Sequence, residues 1–310
     1  MDSQTNPVAP GVAGNPGTTP HSLDDTRPFG THIRMAWWKS LIVIAAMPVT
    51  LLLLQLGLYL LAGLVDAGED PLESTLTPLK LLAANLSTGL TALLALVLVS
   101  WFAKVPWRRV FSSPRRFDRR RLAIYFAGSA VLVGAGIAVV AIVAPDAPGW
   151  VGFSISGTTV AMLVVVLLTT PVQSAGEEII FRGAVLPAAG SWFRAVRPAF
   201  IAGLVVSSLS FALMHGAGDP WLSSYYIFLS VCTALMGLIT RGLEAAMGFH
   251  IANNVVVTTV NVLMAGGGVL VVDRSEGAGG GPVLIILAVV NVAVLAFVWL
   301  RERERRPIDG

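Results

Sequence analysis

The sequence predicts an all-α fold, a polytopic membrane helix bundle of about eight transmembrane helices. Three observations carry this expectation. The 310 residues are 55% hydrophobic and 13% charged, with positive mean hydropathy, a composition outside the range of soluble domains. The apolar residues fall into eight runs, each long enough for a span of roughly 20 residues. The charges between those runs alternate, basic loops following acidic ones.

Residues 1–35 are rich in Pro, Gly, Thr, Asn and Asp and have no apolar periodicity, so a disordered cytoplasmic tail is expected. No apolar stretch follows a short basic start before Leu41, which argues against a cleavable signal. Apolar runs then occur at about 38–65, 81–103, 122–144, 156–190, 198–216, 221–240, 244–265 and 282–300. Seven spans is the alternative, if one segment is re-entrant. The organisation follows: N-terminal helices over 36–145, a second helical region over 146–300 holding the polar motifs, and a charged C-terminal tail over 301–310.

Arg27, Arg34 and Lys39 precede the first run and place the N-terminus inside. Asp66, Glu69, Asp70 and Glu73 follow it, outside. The next connection is strongly basic, with Lys104, Arg108, Arg109, Arg115, Arg116 and Arg119–Arg121. It reads as a cytoplasmic loop against anionic lipid and not as a nucleic-acid surface. Asp146 then falls outside, Arg194 and Arg197 inside, Asp219 outside and Arg241 inside. The Gly-rich stretch around Asp273 and Glu276, read as a flexible loop, falls outside, and Arg301–Arg306 inside. Both termini are therefore expected in the cytoplasm of a cell, a bacterial one by expectation. Cys232 is the only cysteine and lies in an apolar run, a packing position that excludes an intrachain disulfide or a Cys-based zinc site.

One interruption of the apolar pattern carries chemistry. From Gly149 to Gly176 the chain has no charge, and then Glu177 and Glu178 arrive together with Arg182 four residues later. Ionisable groups at membrane depth cost several kcal/mol unless paired or hydrated, so they mark function. Adjacent helical residues point about 100° apart, whereas residues four apart share a face. Glu178 and Arg182 therefore make a structural pair, and Glu177 is left to face a polar cavity as a general base. A helix-end salt bridge at the lipid interface is the plainer reading.

Two more polar sites follow, His215 at the end of Phe211–His215 and the pair His250/Asn254 on one helical face. Hydrogen-bonded packing is their plainer reading. Counted at about 1.5 Å per residue from the cytoplasmic ends of their helices, Glu177, His215, Asn254 and His250 stand at roughly 22, 25, 15 and 9 Å. Tilt and kinks at Pro171 or Pro187 would bring them to one level. Carboxylates, imidazoles and an amide suit hydrolysis of a peptide bond. Either Glu and His activate water while His and Asn hold the oxyanion, or Glu177, His215 and His250 hold zinc. These residues alone leave that choice open.

In order, Glu-Glu-x-x-x-Arg (Glu177, Glu178, Arg182), Phe-x-x-x-His (Phe211, His215) and His-x-x-x-Asn (His250, Asn254) resemble the CPBP family. It comprises type II CAAX prenyl endopeptidases and bacterial Abi relatives that process bacteriocins or confer immunity, and the resemblance spans about 156–265. It implies an eight-helix intramembrane endopeptidase with a cavity opening toward the cytoplasm. Glu177 would activate water with His215, His250 and Asn254 would hold the oxyanion, and Glu178, Arg182 and Phe211 would support the site. The family is often labelled metalloprotease, although a metal-independent glutamate mechanism is also favoured for it; no cofactor is favoured here, and zinc is the alternative. The implied partner is a membrane-associated or lipid-modified peptide or protein. A non-catalytic immunity or scaffold protein and a proton-coupled transporter are the competing classes, the latter weakened by the lack of an internal repeat.

Overall fold

The structure is a computed structural model and describes residues 22–66, 73–277 and 281–304. Its long helices are α1 (Trp37–Val65), α2 (Pro78–Ala103), α3 (Arg119–Val143) and α4 (Gly157–Glu178). A π-helical segment (Ile179–Val185) and the short α5 (Leu186–Gly190) continue α4, followed by α6 (Val196–Met214), α7 (Pro220–Thr240), α8 (Glu244–Leu263) and α9 (Leu284–Glu304). Among the described residues, eight helical stretches are long and apolar enough to cross a membrane, with α4 through α5 counted as one. The protein is an integral membrane bundle.

Local sequence sets where these helices start. The Thr77 hydroxyl accepts from Lys80 N with Pro78 opening α2, and Asp118 accepts from Arg120 N and Arg121 N at the start of α3. Ser156 and Thr159 form a reciprocal capping box on α4, and Asp219 accepts from Leu222 N with Pro220 opening α7. Each cap satisfies amide groups that the first helical turn leaves without partners. Lys104 and Arg241, both at φ 54°, end α2 and α7 in the left-handed conformation.

α8 is central and packs against α3, α4 and α7, while α2 lies between α1 and α4, and α9 closes on α3 and α7. α1 and α9 present exposed Leu53, Leu64, Ile285 and Val289, as lipid-facing helices do.

The connections sort to two ends. At one end Arg27 donates to Arg194 O, Arg241 to Arg27 O and Ser113 N to Arg241 O. Arg109 pairs with Asp25, Arg115 with Glu244 and Arg121 with Glu302. This basic end holds a cleft of about 600 Å³ lined by Trp107, Arg108, Arg115, Arg116 and Phe117. At the other end β1 (Thr75–Leu76) pairs antiparallel with β2 (Leu270–Val271). Gly152 bridges Ala265, and Gly218 N and Asp219 N donate to Arg274 O. Asp66, Glu73, Asp146, Asp219, Asp273 and Glu276 belong to this second, acidic end. The Gly-rich connection expected to be a flexible loop is therefore tied down by strand pairing on its described residues.

The expectation of a disordered tail through residue 35 needs correction from Ser22 onward; residues 1–21 lie outside the described residues. Phe29 and Ile33 are buried, Leu23 bridges Ile33, and Met35 N donates to Ser191 Oγ. Few apolar residues suffice because the segment's polar groups bond to the basic loops. His32 shows how. Its Nε2 faces Arg109 O at 3.0 Å as donor, and its Nδ1 accepts from Gly30 N at 3.2 Å, a pattern that only the neutral ring satisfies.

Burial, opposed in part by the bond to Arg109 O, pushes the His32 imidazole down to about 4 from its ordinary 6.5. Above pH 6.5 the ring is neutral folded or unfolded; between 6.5 and 4 only the unfolded ring gains a proton. Docking of residues 22–36 should thus weaken as pH falls through that window, by up to about 3 kcal/mol. Limited proteolysis of the segment between pH 7.5 and 4 should show protection falling with acidification in the natural protein but not in His32→Gln. Equal protection across the window would contradict the assignment.

Candidate functional site

Glu177 and Glu178 end α4, where the helix widens into the π-helical segment. Ile179 N is shared between Ala175 O and Gly176 O, and Leu186 N reaches back five residues to Phe181 O. Ser207 Oγ of α6 also donates to Phe181 O, at 2.8 Å. π-helical turns of this kind occur often at functional sites. Gly176 lets α2 approach, since a Cβ there would stand 3.3 Å from Thr88 O. Gly248 does the same for α3 and α8, where a Cβ would come 2.8 Å from Phe126 N.

His250, two residues beyond Gly248, sits between the two carboxylates. Its Nδ1 is 2.7 Å from Glu178 Oε1, and its Nε2 is 3.2 Å from Glu177 Oε2. The second contact is within ion-pair distance but off the line of a hydrogen bond, since Glu177 Oε2 has no hydrogen-bond partner. The two glutamates, expected to point apart into separate roles, thus meet one imidazole from two sides. Behind them Arg182 Nε lies 3.3 Å from Glu178 Oε2, again paired without hydrogen-bond alignment. Arg182 Nη2 donates to Ser230 O, and its guanidinium stands 4.7 Å over the Phe211 ring. Glu178 and Arg182 are fully enclosed, while Glu177 retains 7% exposure and lies at the edge of the polar cluster.

His215 and Asn254 occupy the half-buried rim. His215 caps the C-terminus of α6. Its Nδ1 lies 2.7 Å from Phe211 O, as donor, leaving Nε2 as the acceptor nitrogen. The His215 ring stands 4.4 Å from Phe211 and 4.1 Å from Tyr226, and Phe211 stands 5.9 Å from His250. One aromatic ring therefore separates the two imidazoles. Asn254 Nδ2 donates to Gln173 Oε1 at 3.2 Å.

Gln173 and Tyr226 join the site without having been expected there. Gln173 stands one helical turn before Glu177, the spacing that links His250 to Asn254, and that repeated i,i+4 interval was the available signal. Tyr226 gave none, because an aromatic residue in an apolar run reads as packing.

The donors do not favour zinc. His250 engages a carboxylate at each ring nitrogen, and His215 uses Nδ1 on a carbonyl. Among the described residues no group of three or more His, Cys, Asp or Glu side chains is arranged to hold a metal ion. Glu177, His215 and His250 do not fit a three-ligand site in this arrangement.

Comparison with known proteins agrees with the motif order. Residues 156–256, about a third of the chain, match the family model described as type II CAAX prenyl endopeptidase Rce1-like. That segment holds every motif residue from Glu177 to Asn254. A similar curated protein is the uncharacterized protein YyaK of Bacillus subtilis (strain 168), 27% identical over 162 residues, which make up 50% of this chain and 52% of that protein. The chain thus spans about half the length of that relative. No solved structure matches.

Removing one partner of a buried ion pair leaves the other uncompensated, at a cost of about 3–5 kcal/mol. Arg182→Ala should therefore lower the melting temperature and the monodisperse yield from detergent, because Glu178 keeps its place with only His250 to balance it. Normal yield and melting with selectively lost turnover would instead make Arg182 a substrate contact.

Proposed function

We propose that this protein is an intramembrane endopeptidase that hydrolyses a peptide bond in a membrane-associated or lipid-modified peptide or protein. The observation that carries the reading is Glu177: a carboxylate at the boundary of the enclosed cluster, beside His250, within a segment similar to CAAX endopeptidases.

Water bound between Glu177 and His215 Nε2 would lose its proton to Glu177 as it attacks the scissile carbonyl carbon. Glu177 would then return that proton to the amine as the C–N bond breaks. The developing oxyanion would be met by the Asn254 amide. His250 Nε2–H becomes available to the same oxyanion once Glu177 has taken the proton and its hold on the imidazole weakens. Glu178, Arg182 and Phe211 keep His250 in place. Gln173 is a positioning residue in this scheme, since it turns the Asn254 amide. Each proton in this sequence is carried by a side chain of the cluster.

The basic end is placed on the cytoplasmic side by the positive-inside rule, with both helical termini there, in a bacterial cell membrane. Its cleft of arginines and aromatic rings suits the phosphate of an anionic lipid headgroup.

Removing a general base costs about 10²–10⁴ in rate. Purified protein in lipid nanodiscs, given a library of short apolar peptides, should cleave a subset. Glu177→Ala should lose that activity by at least about a hundredfold while remaining folded and monodisperse. Cleavage undiminished in Glu177→Ala would overturn the assignment.

Activity is further expected to survive exhaustive chelation, with metal analysis of active protein returning far less than one zinc per chain. Stoichiometric zinc whose removal abolishes cleavage and whose return restores it would replace the mechanism and leave the endopeptidase reading in place.

A further inference from the structure

At the basic end, the connection between α2 and α3 carries more positive charge than its neighbours neutralise. Arg109 pairs with Asp25 at 3.2 Å. Arg115 is committed to Glu244, to which Nη1 and Nη2 donate side by side, the second at 2.7 Å. Arg108, Arg116 and Arg119 form no ion pair among the described residues. All three are exposed, and they line one cleft of about 600 Å³.

The same cleft has an aromatic lining. Trp107, Phe111 and Phe117 run along it in edge-on contacts, with ring centroids 5.8 and 5.7 Å apart. Trp107 is exposed, as are Trp38 and Trp101. Lys39 Nζ donates to Phe102 O at 3.2 Å, so the start of α1 and the end of α2 lie at one level. Exposed tryptophans at helix ends mark the headgroup layer of a bilayer. Cations and apolar rings thus stand together at the depth where a phospholipid changes from phosphate to hydrocarbon. A free phosphate would use the cations alone.

This segment is also stitched to the start of α8. Ser113 N donates to Arg241 O at 3.2 Å, and Leu243 N donates to Phe111 O at 2.8 Å. Arg115 Nε and Nη2 donate to Thr240 O at 3.1 and 2.7 Å, and Asp118 N donates to Glu244 Oε1 at 2.8 Å. Glu244 is fully buried. His250 follows it on the same helix, about 9 Å along the axis. One side of the segment therefore forms the cleft, and the other holds the helix that carries His250.

We propose that this cleft binds one anionic phospholipid, and that the bound lipid fastens residues 107–119 onto the start of α8. Its phosphate lies between Arg108, Arg116 and Arg119, and its glycerol and first chain carbons lie against Trp107, Phe111 and Phe117. Basic pockets between membrane helices hold anionic headgroups in this way. The inference goes beyond a charged surface that gathers lipid, because one molecule is held and α8 is steadied by it. It is independent of what the polar cluster cleaves.

The full chain in a neutral detergent tests this by melting and by amide hydrogen exchange. Phosphatidylglycerol, phosphatidylcholine and glycerol phosphate are added separately. Phosphatidylglycerol should raise the melting temperature and saturate at about one lipid per chain, since a ligand of the folded state stabilises it. It should slow exchange in peptides covering 107–119 and 240–250 and leave the β1–β2 pair at the acidic end unchanged. Phosphatidylcholine, whose ammonium cancels the phosphate charge, and glycerol phosphate should do neither at the same concentration. Arg108→Gln and Arg116→Gln should each raise the half-saturating lipid concentration by about tenfold or more. Arg197→Gln, at an exposed arginine outside the cleft, should leave it unchanged. The headgroup comparison on the natural chain stands even where a variant fails to fold. An equal effect of glycerol phosphate would overturn the lipid assignment, and an equal loss in Arg197→Gln would reduce the contact to diffuse surface charge. Protection confined to 107–119 would overturn the link to α8. Neither readout involves turnover, so a failed lipid site and a failed endopeptidase reading are separate results.

Discussion

Everything at the centre of this bundle depends on one imidazole held between two adjacent carboxylates. His250 reaches Glu178 through Nδ1 and Glu177 through Nε2, and Arg182 backs Glu178 from the other side. The apolar interior tolerates this much charge only because each group has an opposite or a donor in contact. The cluster therefore fixes α4, α7 and α8 relative to one another: Arg182 ties to Ser230 O on α7, and His250 brings α8 onto the end of α4. Packing supports the same geometry. Gly176 and Gly248 bring α2 and α3 within backbone contact of α4 and α8.

The consequence is a division of labour along one short stretch of chain. Glu178 and Arg182 are closed in and serve the architecture, whereas Glu177, one residue earlier, keeps a slight exposure. The π-helical segment follows directly and directs its altered carbonyl pattern to Ser207 of α6. Gln173, His215 and Asn254 stand half-buried at the rim of the cluster.

Much of this was legible in the residues. Hydropathy placed the helices within a few residues of their observed bounds, because a run of about 20 apolar residues matches the thickness of a bilayer and little else in a folded chain. The charged interruption at Glu177–Arg182 and the spacing of His250 and Asn254 located the polar cluster. The folding of residues 22–36 was not legible, since its stability comes from hydrogen bonds between distant loops, as at His32 and Arg109, and not from periodicity. The meeting of both glutamates at His250 was hidden for a related reason. An ideal helix separates neighbouring side chains, and nothing local announced that α8 would bring one ring between them. Gln173 was missed although its spacing to Glu177 was visible, because an isolated amide on an apolar helix commonly serves only to bond a neighbouring helix.

The claim that His250 binds the two carboxylate-bearing positions of α4 to α8 is tested most directly by a double-mutant cycle. Glu178→Gln, His250→Gln and the double variant are compared with the natural chain by thermal unfolding in one detergent at neutral pH. Residues in direct contact within one network couple by about 0.5–3 kcal/mol. The structure predicts a coupling within that range, each single change costing more than its share of the double. Additivity within about 0.3 kcal/mol, with both single variants folded, would contradict the interaction that holds the centre of the bundle together.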